Sequence, residues 1–253
     1  MNMNNQPNYH ESMEKYMARE LCPRLYKLFT KKNKIPKNKQ YLTLANIQVN
    51  SPTSEINQMI NSNLISANQF VGIDNNKNYI DQNTQDHPEA LFFHGDWNLL
   101  LSKRCFNPAI IYLDSTHFGN RLPAVKTLKS TLDICDYGTL VICNVMETNP
   151  RSGFWGEYLD TQCLIENLLY KEIPAKYKDW NLDSNLKSWE EIENSSIYIP
   201  AFNYQTSKTL MKSYVFFKGA IPSEEVMTNF FEEFTVWCNK FEKSCNEKKG
   251  IAC

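Results

Sequence analysis

Three aspartates stand where apolar runs end. Asp74 closes residues 69–74 (QFVGID), Asp96 follows residues 90–94 (ALFFH) after Gly95, and Asp114 closes residues 108–114 (PAIIYLD). They lie 22 and 18 residues apart, each interval the length of one strand and one helix. A carboxylate at the C-terminal end of a buried strand is placed to accept hydrogen bonds from a ligand's hydroxyls or amines, in the crevice where open α/β sheets bind. The same acid also serves as a helix cap or a turn former. Trp97 follows Asp96 and has two uses: stacking on a planar ligand or packing in a core. The run Asp114-Ser115-Thr116-His117-Phe118 offers an acceptor, a general base and an aromatic platform. It reads equally as a polar loop with a satisfied histidine. Arg151, after Asn149-Pro150, suits a phosphate or carboxylate, or an exposed salt bridge.

The elements that must position these residues alternate. Residues 10–31 carry Leu21, Leu25, Leu28 and Phe29 at helical spacing, and a basic linker with Pro36 follows. Strands are predicted over 41–49, 69–74, 90–94, 108–114 and 139–145, with helices over 55–65, 78–83, 98–103 and 122–135 between them. Gly138 stands where a glycine would close the last of these helices. Near-continuous apolar strands separated by helices predict a parallel sheet covered on both faces. The order then changes. Residues 158–169 read as helix, and 171–193 as a charged segment with Trp180 and Trp189. Residues 196–202 and 212–218 read as an antiparallel strand pair. Ser223 opens a last helix with Val226, Phe230, Phe234, Trp237, Phe241 and Cys245 along one face. Three regions are expected: a basic N-terminal helix and linker over 1–40, the α/β domain over 41–220, and an amphipathic helix packed on it over 221–253.

Composition excludes several classes. The chain has 253 residues, of which only eight are glycine, the first at Gly72. No G-x-G-x-x-G, G-x-x-x-x-G-K-[ST] or G-x-S-x-G occurs, which disfavours P-loop enzymes, standard nucleotide-binding dehydrogenases and typical α/β-hydrolases. Asparagine is abundant, the mark of an AT-rich genome, and takes φ > 0 more readily than most residues. His10-Glu11 lacks the second histidine of a zincin motif, and no cysteine pair has zinc-ligand spacing. Cys105, Cys135, Cys143 and Cys163 lie in or beside apolar segments and read as small core residues. With a polar start, this predicts a reducing, intracellular, cytoplasmic setting. No apolar run is long enough to span a membrane. Net charge is −1, yet residues 1–50 hold nine basic side chains and three acids. A basic segment that includes Lys31 and Lys32 suits a phosphate backbone; its bland reading is a solvated helix end.

Five β/α units followed by an antiparallel pair, with acids at the strand ends, resemble the class I S-adenosylmethionine-dependent methyltransferases. The resemblance covers about residues 41–220 and implies a three-layer Rossmann-like sheet, mostly parallel, with an antiparallel C-terminal pair. It implies S-adenosylmethionine as cofactor. Asp74 would accept from the ribose hydroxyls, Asp96 from the adenine amino group, and Trp97 would lie against the ring. Asn46, Asn50 and Ser51 fall where the methionine portion is held. Asp114, His117 and Phe118 fall in the motif beside the acceptor, without the prolines of the amino-methylating DNA enzymes. Arg151, Lys31 and Lys32 would hold a substrate, with nucleic acid the expected class. The family's glycine-rich first loop is replaced here by Val49-Asn50-Ser51-Pro52-Thr53-Ser54. Two readings follow: a methyltransferase, or a methyltransferase fold acting as a binding or structural subunit that meets a protein partner through its aromatic C-terminal half.

Overall fold

The computed structural model describes residues 13–45, 54–115, 127–128, 130–146, 198–206, 209–220 and 222–248. Two compact units are distinguished, Met1–Ala220 and Ile221–Cys253.

The first unit opens with α1 (Met13–Arg19) and α2 (Leu21–Thr30), where the sequence predicts one helix. The break at Glu20 precedes Pro23, which has no N–H to bond back and is tolerated only in a helix's first turn. Lys31 ends α2 in the left-handed region at φ 60°, its N–H bonded to Lys27 O. That conformation costs a side-chain-bearing residue about 1 kcal/mol or more, so Lys31→Gly is expected to raise stability by about 1 kcal/mol. Urea unfolding measures it, and an unchanged midpoint would show that the strain is relieved elsewhere.

Then come β1 (Gln40–Leu44), α3 (Glu55–Asn61), β2 (Phe70–Asp74), α4 (Lys77–Asp86), β3 (Leu91–His94), α5 (Trp97–Ser102) and β4 (Pro108–Ser115). β5 (Leu140–Met146), β6 (Tyr198–Thr206) and β7 (Thr209–Phe217) complete the sheet. Its seven strands run in the order β3-β2-β1-β4-β5-β7-β6. The first five are parallel. β7 enters antiparallel to β5, Ile142 opposite Val215, and β6 pairs antiparallel on its far side. Both last strands are longer than the sequence predicts, with only residues 207 and 208 between them.

Strand residues alternate between two buried faces. On one, Leu42, Val71, Ile73, Ile111, Leu113 and Val141 meet Trp97 and Leu101 of α5 and the helical Leu128 and Leu132. On the other, Tyr41, Tyr112 and Thr43 meet α1 to α3. The N-terminal helices therefore form part of the sheet's own unit. Gly138 does not cap the helix before β5. It sits in the turn beyond, at φ 85°, with its N–H donating to Lys218 O. Cys135 and Cys143 are buried and burial drives their thiols up, Cys143 to about 12, but Cys105 is exposed on the turn before β4. The expectation of a core residue fails there because the turn lies outside both packed faces.

The second unit holds α6 (Glu224–Lys248). Its aromatic stripe forms a ladder of stacked rings, Phe230–Phe234, Phe234–Trp237 and Trp237–Phe241, with centroids 6.3, 5.7 and 5.3 Å apart.

Candidate functional site

The order in which strands are added reverses between the parallel neighbours β1 and β4: from β1 the sheet grows toward β2 on one side, and from β4 toward β5 on the other. In an open α/β sheet that switch point, at the C-terminal ends of the strands, is where a crevice forms. Asp114 stands there, 5% exposed, on the face that carries Tyr112 and Tyr41. Lys15 of α1 donates to Asp114 Oδ2 at 3.0 Å, both side chains almost fully buried. Asp114 Oδ1 is buried with no hydrogen-bond partner among the described residues.

A second pair lies beside the first. Glu55, the opening residue of α3, accepts from the Tyr41 hydroxyl at 2.9 Å and faces Arg19 Nε at 4.0 Å. Burial pushes the Glu55 carboxyl above the usual range, and Arg19, Thr43 and Tyr41 offset this only in part. Burial pulls the Arg19 guanidinium down, but Glu55, Tyr112, Asp114 and Tyr41 outweigh it and hold it above its ordinary value. Cys22 meets the Tyr41 hydroxyl at 3.8 Å. Asn144 of β5 bridges the Tyr112 hydroxyl and Ser213 of β7. The sheet's C-terminal half is thus lined on one face by a continuous polar layer instead of a glycine-cradled groove. Two cations and two carboxylates face each other within it and cancel.

The strand-end acids occupy their predicted places but differ in engagement. Asp74 is half-buried at the end of β2, and its Oδ1 accepts from Asn76 N–H at 2.7 Å, an Asx turn leading into α4. Asp96 is exposed and caps α5, Oδ1 accepting from Leu99 N–H at 2.9 Å. Trp97 is 5% exposed within the core and donates its indole N–H to Thr131 Oγ1 at 3.0 Å. Of its two uses the structure shows packing, because the first turn of α5 directs the ring under the sheet. Lys31 and Lys32 lie elsewhere. Both are exposed after α2, where Phe29 stacks on Phe217, the partner of Leu140 at the beginning of β5. That places them at the N-terminal edge of the sheet, away from Asp74 and Asp114, because α2 runs antiparallel to β1 and carries its end to the opposite side. Asn46, Asn50, Ser51, His117, Phe118 and Arg151 lie outside the described residues, as do 158–169 and 171–193. Ser54 caps α3, accepting from Asn57 N–H at 3.4 Å.

Sequence reasoning missed Lys15, Arg19 and Glu55. The only signal was charged residues on the apolar side of the first helix, which read as a solvated face. Among the described residues no His/Cys/Asp/Glu cluster could hold a metal, and no helix is long and apolar enough to cross a membrane.

Strand order, the reversal at β1/β4 and the antiparallel β7 between β5 and β6 together define a Rossmann-like α/β sheet, mostly parallel with an antiparallel C-terminal pair. No family model and no curated protein matches the sequence. Solved structures do align at low identity. The O-methyltransferase TomG from Streptomyces achromogenes, in complex with S-adenosylmethionine, is 11% identical over 83% of this chain and 82% of its own, with a TM-score of 0.49. An O-methyltransferase from Bacillus cereus in complex with S-adenosylhomocysteine is 12% identical over 83% and 84%, with a TM-score of 0.47. Aeropyrum pernix fibrillarin, with natively bound S-adenosylmethionine, is 10% identical over 83% and 85%, with a TM-score of 0.45.

Proposed function

We propose that the chain binds S-adenosylmethionine in the crevice between β1 and β4 and transfers its methyl group, with nucleic acid as the acceptor class. The observation that carries this reading is the coincidence of the switch point with two strand-end carboxylates, Asp74 half-buried and Asp114 with one buried oxygen lacking a partner among the described residues. The cofactor supplies an electrophilic methyl on a sulfonium. Asp74 suits the ribose hydroxyls, since a carboxylate accepts two such bonds. Asp114 Oδ1 suits a buried N–H or O–H, from the cofactor's amine or from the acceptor. The exposed Lys31, Lys32, Lys34 and Lys37 support a phosphate-bearing acceptor long enough to reach the crevice from the N-terminal edge of the sheet.

Isothermal titration of the full chain with S-adenosylmethionine tests this. Binding is expected, and Asp74→Ala should weaken it by about tenfold or more, the loss of a charge-assisted hydrogen bond. Absence of heat and of any thermal shift with the folded protein at millimolar cofactor sinks the reading.

A second reading has its own observation. The Lys15–Asp114 and Arg19–Glu55 pairs close the polar layer upon itself, and the loop after β1 has no glycine. A chain that uses those charges for its own folding suits a binding or structural subunit, and the aromatic ladder of α6 suits a protein partner. Light scattering behind size exclusion separates the two: a monomer that turns over the cofactor eliminates the subunit reading.

A further inference from the structure

Residues 31–40 hold five lysines and no acid, and residues 102–107 hold Lys103 and Arg104 and no acid. Far apart in sequence, these turns are stitched together. Lys39 Nζ donates to Asn107 Oδ1 at 2.5 Å, and Asn107 N–H to Gln40 Oε1 at 2.9 Å. Asn107 Nδ2 donates to Asn38 O at 3.0 Å, and Gln40 N–H to Asn107 O at 3.0 Å. One turn leads into β1 and the other into β4, so both lie at the N-terminal edge of the parallel strands. Lys31, Lys32, Lys34, Lys37, Lys103 and Arg104 are all exposed there.

A third turn joins them. Asp136 meets Lys39 Nζ at 3.6 Å, and Gly138 N–H bonds to Lys218 O. Between them Tyr137 stands 65% exposed. The ring stands largely in water, one residue from the carboxylate that meets Lys39. The described carboxylates at this edge are Asp86, Glu89, Asp133 and Asp136, of which Asp86 accepts from Gln82 and Asp136 already faces Lys39. Six exposed cations against those few acids make the edge strongly positive on a chain of net charge −1.

We infer that this edge is a binding face for single-stranded nucleic acid, with the cations of the two stitched turns on phosphates and Tyr137 stacked on a base. Cations spaced along stitched turns track a backbone, and an exposed ring adds stacking that does not depend on sequence. An anionic membrane would instead favour an apolar wedge among the lysines, and the two basic turns expose none: Ile35 is buried and Phe106 half-buried. The face is remote from the crevice by the length of β4, about 26 Å for its eight residues. It therefore anchors a strand whether or not the crevice methylates, and goes beyond the acceptor reading above.

Fluorescence anisotropy of the full chain with a labelled single-stranded 20-mer tests it, at about 50 and about 200 mM salt. Binding is expected at low salt, with a log–log salt slope of about −3 for four or five phosphates. Lys32→Glu with Lys34→Glu and Arg104→Glu should weaken it by more than about tenfold and flatten that slope by about 2. Tyr137→Ala should weaken it about fivefold or more and leave the slope unchanged. Lys77→Glu, an exposed cation on α4 at the opposite end, should leave affinity within about twofold, whereas Lys34→Glu alone lowers it severalfold. If the triple variant fails to fold, the Lys34/Lys77 comparison and the Tyr137→Ala slope decide. No binding at low salt, equal loss from Lys77→Glu and Lys34→Glu, or binding to phosphatidylserine vesicles without binding to the 20-mer overturns the proposal. Cofactor titration failing leaves it standing.

Discussion

Lys15→Met is expected to cost about 3–5 kcal/mol of folding stability, because it leaves the buried Asp114 carboxylate without its cation. Two charges buried together attract strongly enough to offset much of their lost hydration; one charge left alone pays the whole penalty. Lys15→Met combined with Asp114→Asn should recover most of the loss, since the pair then leaves as a unit. Folded proteins of this size are stable by only about 5–15 kcal/mol, so the single variant loses a large share and the double variant little. Urea unfolding of wild type, both singles and the double closes the cycle. A single-variant loss below about 1 kcal/mol would mean that water reaches Asp114, and the pair would count as a surface bridge. The result also bears on function: a chain that depends on Lys15–Asp114 has built part of its crevice from its own first helix.

Gly72→Ala is expected to cost about 3 kcal/mol, for a reason that has nothing to do with turns. Gly72 lies inside β2, opposite Thr43 on one side and Phe92 on the other. A Cβ there would stand 2.5 Å from Ala45 Cβ and 2.8 Å from Phe92 Cδ1. The ring can swing, but the Ala45 Cβ moves only with its backbone, at the end of β1. Overpacking that shifts a central strand costs about 1–3 kcal/mol, sometimes more. Because Asp74 follows two residues later, the same shift should weaken cofactor binding if the crevice binds one. Thermal unfolding with and without S-adenosylmethionine reads both effects. A variant as stable as wild type would show that β1 and β2 have slack between them.

Much of the architecture was legible because buried parallel strands are apolar throughout and short. Residues 69–74, 108–114 and 139–145 could be placed to within a residue or two on that ground. The three acids were placed at strand ends by the same pattern. What they do was not legible, since an Asx turn at Asp74, a helix cap at Asp96 and an ion pair at Asp114 demand the same residue type. Trp97 illustrates this further: the pattern placed it just before a helix over 98–103, but only the folded chain, with Trp97 opening α5 and Thr131 accepting its indole N–H, decided that it packs inward. Lys31 and Lys32 show the converse: their type was legible and their place was not. Local charge identified a basic segment, and the direction of α2 carried it to the far edge of the sheet.

The sequence by itself determined the alternation of elements, the class of sheet and the positions of the strand-end carboxylates, because these depend on local periodicity and on hydrophobic burial. Tertiary structure alone decided who meets whom. Lys15 and Asp114 are 99 residues apart, Lys39 and Asn107 are 68 apart, and no local rule pairs them. Charges that look solvated on a helix can be buried once that helix is laid across a sheet, and cations that look adjacent to a crevice can end at its opposite edge. Pairing across such separations is set by the crossing of helices over the sheet, which only the folded chain specifies.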